Sequence, residues 1–68
     1  MRTSEISTAD GTLYRNINGA WLVFRTDKTR SILSDGTHTD RVTGHTTTVV
    51  GSSLTVIDQD GKTRTVMQ

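Results

Sequence analysis

The sequence is organised around residues 18–24, which read Asn-Gly-Ala-Trp-Leu-Val-Phe. Asn-Gly is the strongest signal for a two-residue hairpin turn, because both residues accept a positive φ angle. The five residues that follow are mostly β-prone and are apolar on both faces of an extended chain. A strand that is apolar on both faces is typical of a central position with cover on two sides. We therefore predict a hairpin turn that leads into a central strand.

Strand patterns lie on both sides of this stretch. Residues 12–17 alternate, which places Leu13, Arg15 and Ile17 on one face of a strand. After the central strand, residues 26–28 form a predicted turn, and residues 29–33 form the returning strand. The first half of the chain is therefore predicted to be a three-stranded meander.

A matching segment later in the chain indicates that this unit is built twice. Residues 27–33 read Asp-Lys-Thr-Arg-Ser-Ile-Leu, and residues 61–67 read Gly-Lys-Thr-Arg-Thr-Val-Met, an offset of 34 positions. If the two halves are equivalent, Arg30 and Arg64 should present matching charges at related places. The alternative is a chance likeness between two hairpins rich in Thr, Lys and Arg.

The predicted fold class is all-β, a small antiparallel barrel or sandwich of about six strands. The strands would form two repeated three-stranded meanders in residues 11–33 and 44–67, within a single β domain at 11–68. Residues 1–10 are predicted to be a polar N-terminal arm or a short edge strand, and residues 37–43 could add a further strand. The predicted core, with Trp21 partly buried, consists of Leu13, Ile17, Leu22, Val23, Phe24, Ile32, Val50, Leu54, Val56, Ile57 and Val66.

Composition limits the class of protein. The chain has 68 residues, no Cys, a hydrophobic fraction of 31% and a formal charge of +1. So short a chain buries a small share of its surface, and its core is thin, so a homo-oligomer is expected. No apolar run is long enough to cross a membrane, and no signal-peptide pattern is present, so the expected location is cytoplasmic or intracellular. No cofactor and no membrane partner are expected.

Five residues are candidates for a binding surface: Tyr14, Trp21, Arg25, Arg30 and Arg64. Aromatic rings beside arginines on a β-surface can hold single-stranded nucleic acid, as in small barrels of the OB-like or SH3-like kind. The other interpretation places Trp21 in the core and the arginines on a solvated face paired with aspartates. The near-zero net charge and the low aromatic content favour that second interpretation.

Three residues are weak candidates for a metal site: His38, Asp40 and His45. On one strand, His38 and Asp40 would share a face, and His45 could join them across a turn. Histidines in exposed Thr-rich strands are usually solvated, so no metal site is predicted. No nucleophile and base stand at a recognisable spacing, so we predict that the chain is not an enzyme.

The function predicted from the sequence is a non-enzymatic small β module for protein–protein interaction or assembly. The partner would be another protein or a second copy of the chain, and a nucleic-acid-binding small β-barrel is the alternative. Residues 42–51 resemble, in composition, the Val, Gly and Thr repeats of intertwined trimeric spikes in phage tails and secretion systems. That resemblance covers about ten residues of low complexity. It implies a viral or mobile-element structural or accessory protein, with the virion as a further location.

Overall fold

The computed structural model describes residues 4–67, which form two four-stranded antiparallel sheets. Sheet A contains β1 (Glu5–Ser7), β2 (Leu13–Ile17), β3 (Ala20–Phe24) and β4 (Arg30–Ile32). Sheet B contains β5 (Gly36–Thr39), β6 (Thr46–Val50), β7 (Ser53–Ile57) and β8 (Thr63–Met67). In both sheets, strands that are consecutive in the chain lie side by side. The all-β prediction is confirmed, but the strands of the described residues do not close into one barrel.

The structure has two strands more than the six that were predicted. β1 lies inside the predicted N-terminal arm, at the place where the alternative was a short edge strand. β5 lies within the polar segment where a further strand was considered. No helix occurs among residues 4–67, so the described part of the chain offers none that could span a membrane.

The hairpin turn at the centre of the sequence forms as predicted. Asn18 and Gly19 have φ angles of 53° and 88°, as a two-residue turn between twisted strands requires. Asn16 accepts a hydrogen bond from the backbone N–H of Gly19 through its Oδ1, at 3.0 Å. In sheet B, Gly51 has a φ of 59° in the corresponding hairpin. The two central hairpins therefore use the same backbone conformation at their first turn residue.

The two sheets share one register, and its offset is 33 residues. Leu13 pairs with Phe24 in sheet A, and Thr46 pairs with Ile57 in sheet B. Each residue of the second pair is numbered 33 higher than its counterpart. The same holds for the pairings Val23 with Ser31 and Val56 with Arg64. The Lys-Thr-Arg match, at an offset of 34, is therefore one residue out of step with the structural correspondence.

That single residue reverses the direction of the side chains, because successive residues of a strand point to opposite faces. Arg30 is exposed and pairs with Phe24, whereas Arg64 is half-buried and pairs with the buried Val56. The structural counterpart of Arg64 is Ser31. The expectation that Arg30 and Arg64 present matching charges is therefore wrong.

One apolar cluster is formed by side chains of both sheets. Tyr14, Leu54 and Val23 are fully buried, and Leu33 and Val66 pack against the cluster. The cluster consists of Ile6, Tyr14, Trp21, Val23, Val49, Leu54 and Val56. The prediction of burial is confirmed for Val23, Leu54 and Val56. Trp21 was expected to be partly buried and is only 2% exposed.

The predicted inner face of β2 is in fact its outer face. Tyr14 and Asn16 point into the cluster, so Leu13 and Ile17 point away from it. Leu22, Phe24 and Ile32 share that outer face by their cross-strand pairing and also lie outside the cluster. In sheet B, Val50 and Ile57 lie on the outer face as well. The sequence pattern offered two candidate faces for β2, and the position of sheet B decides which one is covered.

Candidate functional site: the outer face of sheet A

The outer face of sheet A carries an apolar patch without cover in the monomer. We define the patch by six residues: Leu13, Ile17, Ala20, Leu22, Phe24 and Ile32. Cross-strand pairs hold them in register, with Leu22 opposite Ile32 and Leu13 opposite Phe24. Ile32 is 70% exposed and Ile17 is 41% exposed, while the other four are half-buried. An apolar surface of this kind on a folded domain indicates an interaction site.

Charged residues border the patch on opposite edges of the sheet. On the β1 side, Glu5 forms an ion pair with Arg15 of β2, and both side chains are well exposed. On the β4 side, Arg30 is exposed beside Phe24. The patch is therefore apolar at its centre, with a carboxylate at one edge and a guanidinium at the other.

The outer face of sheet B has a different character. Thr37, Thr48, Thr55 and Thr65 form a row across all four strands, because each pairs with the next. The hydroxyls of Thr37 and Thr48 lie 3.1 Å apart, as do those of Thr55 and Thr65. Threonine suits a solvated strand face, so this row matches the threonine columns that the composition predicts. The apolar patch is therefore specific to sheet A.

Tyr14 and His45 form a polar pair inside the core. The Tyr14 hydroxyl lies 2.7 Å from Nδ1 of His45, and Nε2 of the same ring lies 3.0 Å from Oδ2 of Asp10. With the proton on Nε2, the ring donates to Asp10 and accepts from Tyr14. Burial raises the pKa of Tyr14 to about 12. A hydrogen bond from the Thr8 hydroxyl is the main cause that lowers the pKa of Asp10 to about 2.

Tyr14 and Trp21 are therefore buried residues, although both were candidates for stacking on nucleic acid. Tyr14 is 0% exposed, and the Trp21 indole N–H donates to the backbone carbonyl of Ser52 at 3.2 Å. Neither ring presents a face on which a base could stack. The interpretation that places Trp21 in the core fits the structure better.

The three candidate arginines lie in three different environments. Arg25 donates from Nε to Oδ2 of Asp40 at 2.8 Å, and both side chains are largely buried. Arg64 donates to the backbone carbonyl of Ser7, which links β8 to β1. Arg30 is exposed at the edge of the apolar patch. The structure does not bring these arginines together into one basic surface.

The candidate metal ligands are also separated by their partners. His45 binds Tyr14 and Asp10, while exposed His38 lies 3.4 Å from the carbonyl of Asp35. Burial opposes ionisation of Asp40, but hydrogen bonds from Arg25 and from two backbone amides outweigh it and lower the pKa of this carboxyl. Within residues 4–67 no group of three His, Asp or Glu side chains could hold a metal ion.

Comparison with known proteins adds no family to this description. No family model matches the chain, and no curated protein or solved structure is significantly similar to it. The functional interpretation therefore depends on the surfaces and contacts of the chain itself.

Sequence reasoning identified the residues of the patch but placed them in the core. Leu13, Ile17, Leu22, Phe24 and Ile32 were all predicted to be buried. The signal that could have separated the two faces is the pair Tyr14 and Asn16, which occupy the inner face of β2 and leave the more apolar face outside. Nothing in the sequence pattern indicated that His45 would be 1% exposed.

Proposed function

We propose that this chain is a non-enzymatic β-sandwich module for protein–protein interaction or assembly, which associates through the apolar patch of sheet A. The observation that carries the proposal is β3, whose two faces are both apolar. Trp21 and Val23 on one face are buried against sheet B, while Leu22 and Phe24 on the other face belong to the patch. Covering a large apolar side chain contributes roughly 1.5–3 kcal/mol relative to full exposure, so the patch favours a partner.

The partner that fits the patch is a second copy of the chain. Sheets pack face to face at a spacing of about 10 Å, with their apolar side chains interdigitated. A twofold axis parallel to the strands would place β1 of one copy over β4 of the other. Glu5 of each copy would then face Arg30 of the other. The bordering charges of the patch are thus self-complementary, which favours this pairing of copies.

The buried polar groups support a non-enzymatic role. The Tyr14 hydroxyl and the His45 imidazole are saturated by each other and by Asp10. Their burial keeps them from a substrate, because a general acid or base must come within hydrogen-bond reach of the reacting group. A cytoplasmic or intracellular location, with the virion as an alternative, stays a prediction that fractionation can test.

Sedimentation equilibrium of the wild-type chain tests the proposal. The monomer mass is 7.5 kDa. We expect the apparent mass to rise with protein concentration toward that of a dimer, and the association to persist in high salt because apolar burial drives it. A chain that stays monomeric at millimolar concentration would overturn self-association through the patch.

A further inference from the structure

The two sheets leave a groove on one side of the molecule. On the other side, β1 and β8 approach each other, and Arg64 bridges them through the carbonyl of Ser7. Between β4 and β5 there is instead a groove with a volume of about 350 Å³. This volume falls at the lower end of the range for small-molecule sites. The groove is distinct from the apolar patch, although Ile32 borders both.

The walls of the groove are apolar and exposed. They include Ile32 and Leu33 at the end of β4, and Val42 in the loop after β5. Ile32 is 70% exposed and Val42 is 60% exposed, which are high values for large apolar side chains. An apolar ligand would therefore find uncovered contact surface on opposite sides of the groove.

A fixed arginine lines the groove. The Arg25 side chain is 13% exposed and is held by Asp40 through Nε and by Ser31 through Nη1, at 3.1 Å. Its Nη2 has no hydrogen-bond acceptor among residues 4–67 and is not among their fully buried atoms without a partner. A guanidinium held in this way offers a preorganised donor pair to an incoming anion.

The charges that line the groove have a positive surplus. Arg25 and Arg41 carry positive charge, His38 adds a further cation when protonated, and Asp40 is the single carboxylate in the lining. Because Asp40 already accepts from Arg25 and from the backbone N–H groups of Val42 and Thr43, it is largely saturated. An anionic ligand is therefore favoured over a cationic one.

We propose that this groove binds a small amphipathic carboxylate. The apolar part lies against Ile32, Leu33 and Val42, and the carboxylate accepts hydrogen bonds from Arg25 Nη2 and Arg41. The groove does not depend on self-association, so this site and the dimer can fail separately. For a ligand of about ten non-hydrogen atoms in so open a groove, we expect a Kd on the order of 1 mM.

Titration with octanoate, followed by two-dimensional amide NMR, tests the site. We expect saturable shifts at residues 25, 32–33 and 38–42, and much weaker binding of the uncharged analogue octanol. Equal binding of octanol and octanoate would overturn the role of the arginines. Shifts centred on Leu22 and Phe24 would assign the ligand to the apolar patch and would also overturn the proposal.

A pair of exposed valines supplies a matched control. Val42 lines the groove, whereas Val50 is 68% exposed at the end of β6 and lies outside it. Val42→Asp should weaken octanoate binding about tenfold, because it places a like charge near the ligand. Val50→Asp should leave the Kd unchanged. Because both positions are exposed, both variants should keep the fold, which the fluorescence of the single Trp can verify. Equal affinities of the two variants would overturn the site.

Discussion

The Tyr14 hydroxyl lies 2.7 Å from Nδ1 of His45, and this hydrogen bond joins the two sheets inside their shared core. Both side chains are at most 1% exposed, and the ring also contacts Asp10, which reaches solvent. A buried polar group is tolerated when it is hydrogen-bonded and is costly when it is not. We interpret the pair as a structural link that fixes how the sheets sit on each other.

Removing the Tyr14 hydroxyl should destabilise the fold. Tyr14→Phe leaves Nδ1 of His45 buried without a partner, so we expect a loss of about 1–3 kcal/mol in the free energy of unfolding. Urea denaturation, followed by the fluorescence of Trp21, measures it. The same change made in a His45→Gln background should cost less, because the two groups are coupled. Equal losses in both backgrounds would show that the hydrogen bond does not matter.

Stability should fall at alkaline pH because of Tyr14. Its pKa is raised from 10.0 to about 12, so between these values the unfolded chain loses the proton while the folded chain keeps it. The contribution is complete below pH 10 and is lost as the pH rises toward 12, by up to roughly 3 kcal/mol at 1.36 kcal/mol per unit. Tyr14 is the single tyrosine, so its absorbance reports the titration directly. Half-titration near pH 10 in the folded protein would contradict the prediction, and Tyr14→Phe should remove this part of the alkaline loss.

Replacing Asn16 by the residue at its structural counterpart should stabilise the chain. Asn16 is 4% exposed, and its Nδ2 is a buried donor without a partner in the described structure. Its counterpart in sheet B, 33 residues later, is the buried Val49. Asn16→Val loses the bond to Gly19 but removes the unpaired donor, for a net gain of about 1 kcal/mol. Asn16→Asp keeps the acceptor and buries a charge, so it should destabilise. A loss of stability in Asn16→Val would contradict this account of the site.

The charges at the border of the patch should show complementation between copies. Glu5→Lys and Arg30→Glu each place like charges opposite one another in the proposed dimer, so each variant alone should associate more weakly than the wild type. When the two variants are mixed, opposite charges face each other at both contacts, and association should recover. Sedimentation velocity of the separate and mixed samples gives the comparison. Mixing without recovery would exclude this arrangement of the two copies.

Local signals in the sequence predict the strands well, because they depend on neighbouring residues. The turn at Asn18 and Gly19 needs only two residues that accept a positive φ, and β3 follows from its own composition. The face of β2 that is buried depends on contacts with sheet B, which lies far away in the chain. Leu13 and Ile17 made the outer face look like the core, while Tyr14 occupied the inner face with its hydroxyl satisfied by His45.

The internal correspondence shows the same limit. Identity of the letters Lys-Thr-Arg suggested an offset of 34, while backbone pairing gives 33. A shift of one residue leaves strand and turn assignments almost unchanged, yet it moves each side chain to the other face. Architecture was therefore predictable from the match, whereas the placement of Arg30 and Arg64 was not.

The central claim is that the apolar patch of sheet A is the association surface, and the 33-residue correspondence supplies its control. Leu22 lies in the patch, and its counterpart Thr55 lies in the threonine row of sheet B; both are half-buried on outer faces. Sedimentation equilibrium of Leu22→Asp and Thr55→Asp is the most direct test. We predict that Leu22→Asp is monomeric at concentrations where Thr55→Asp still forms the dimer. A Leu22→Asp chain that dimerises as strongly as Thr55→Asp would contradict the claim.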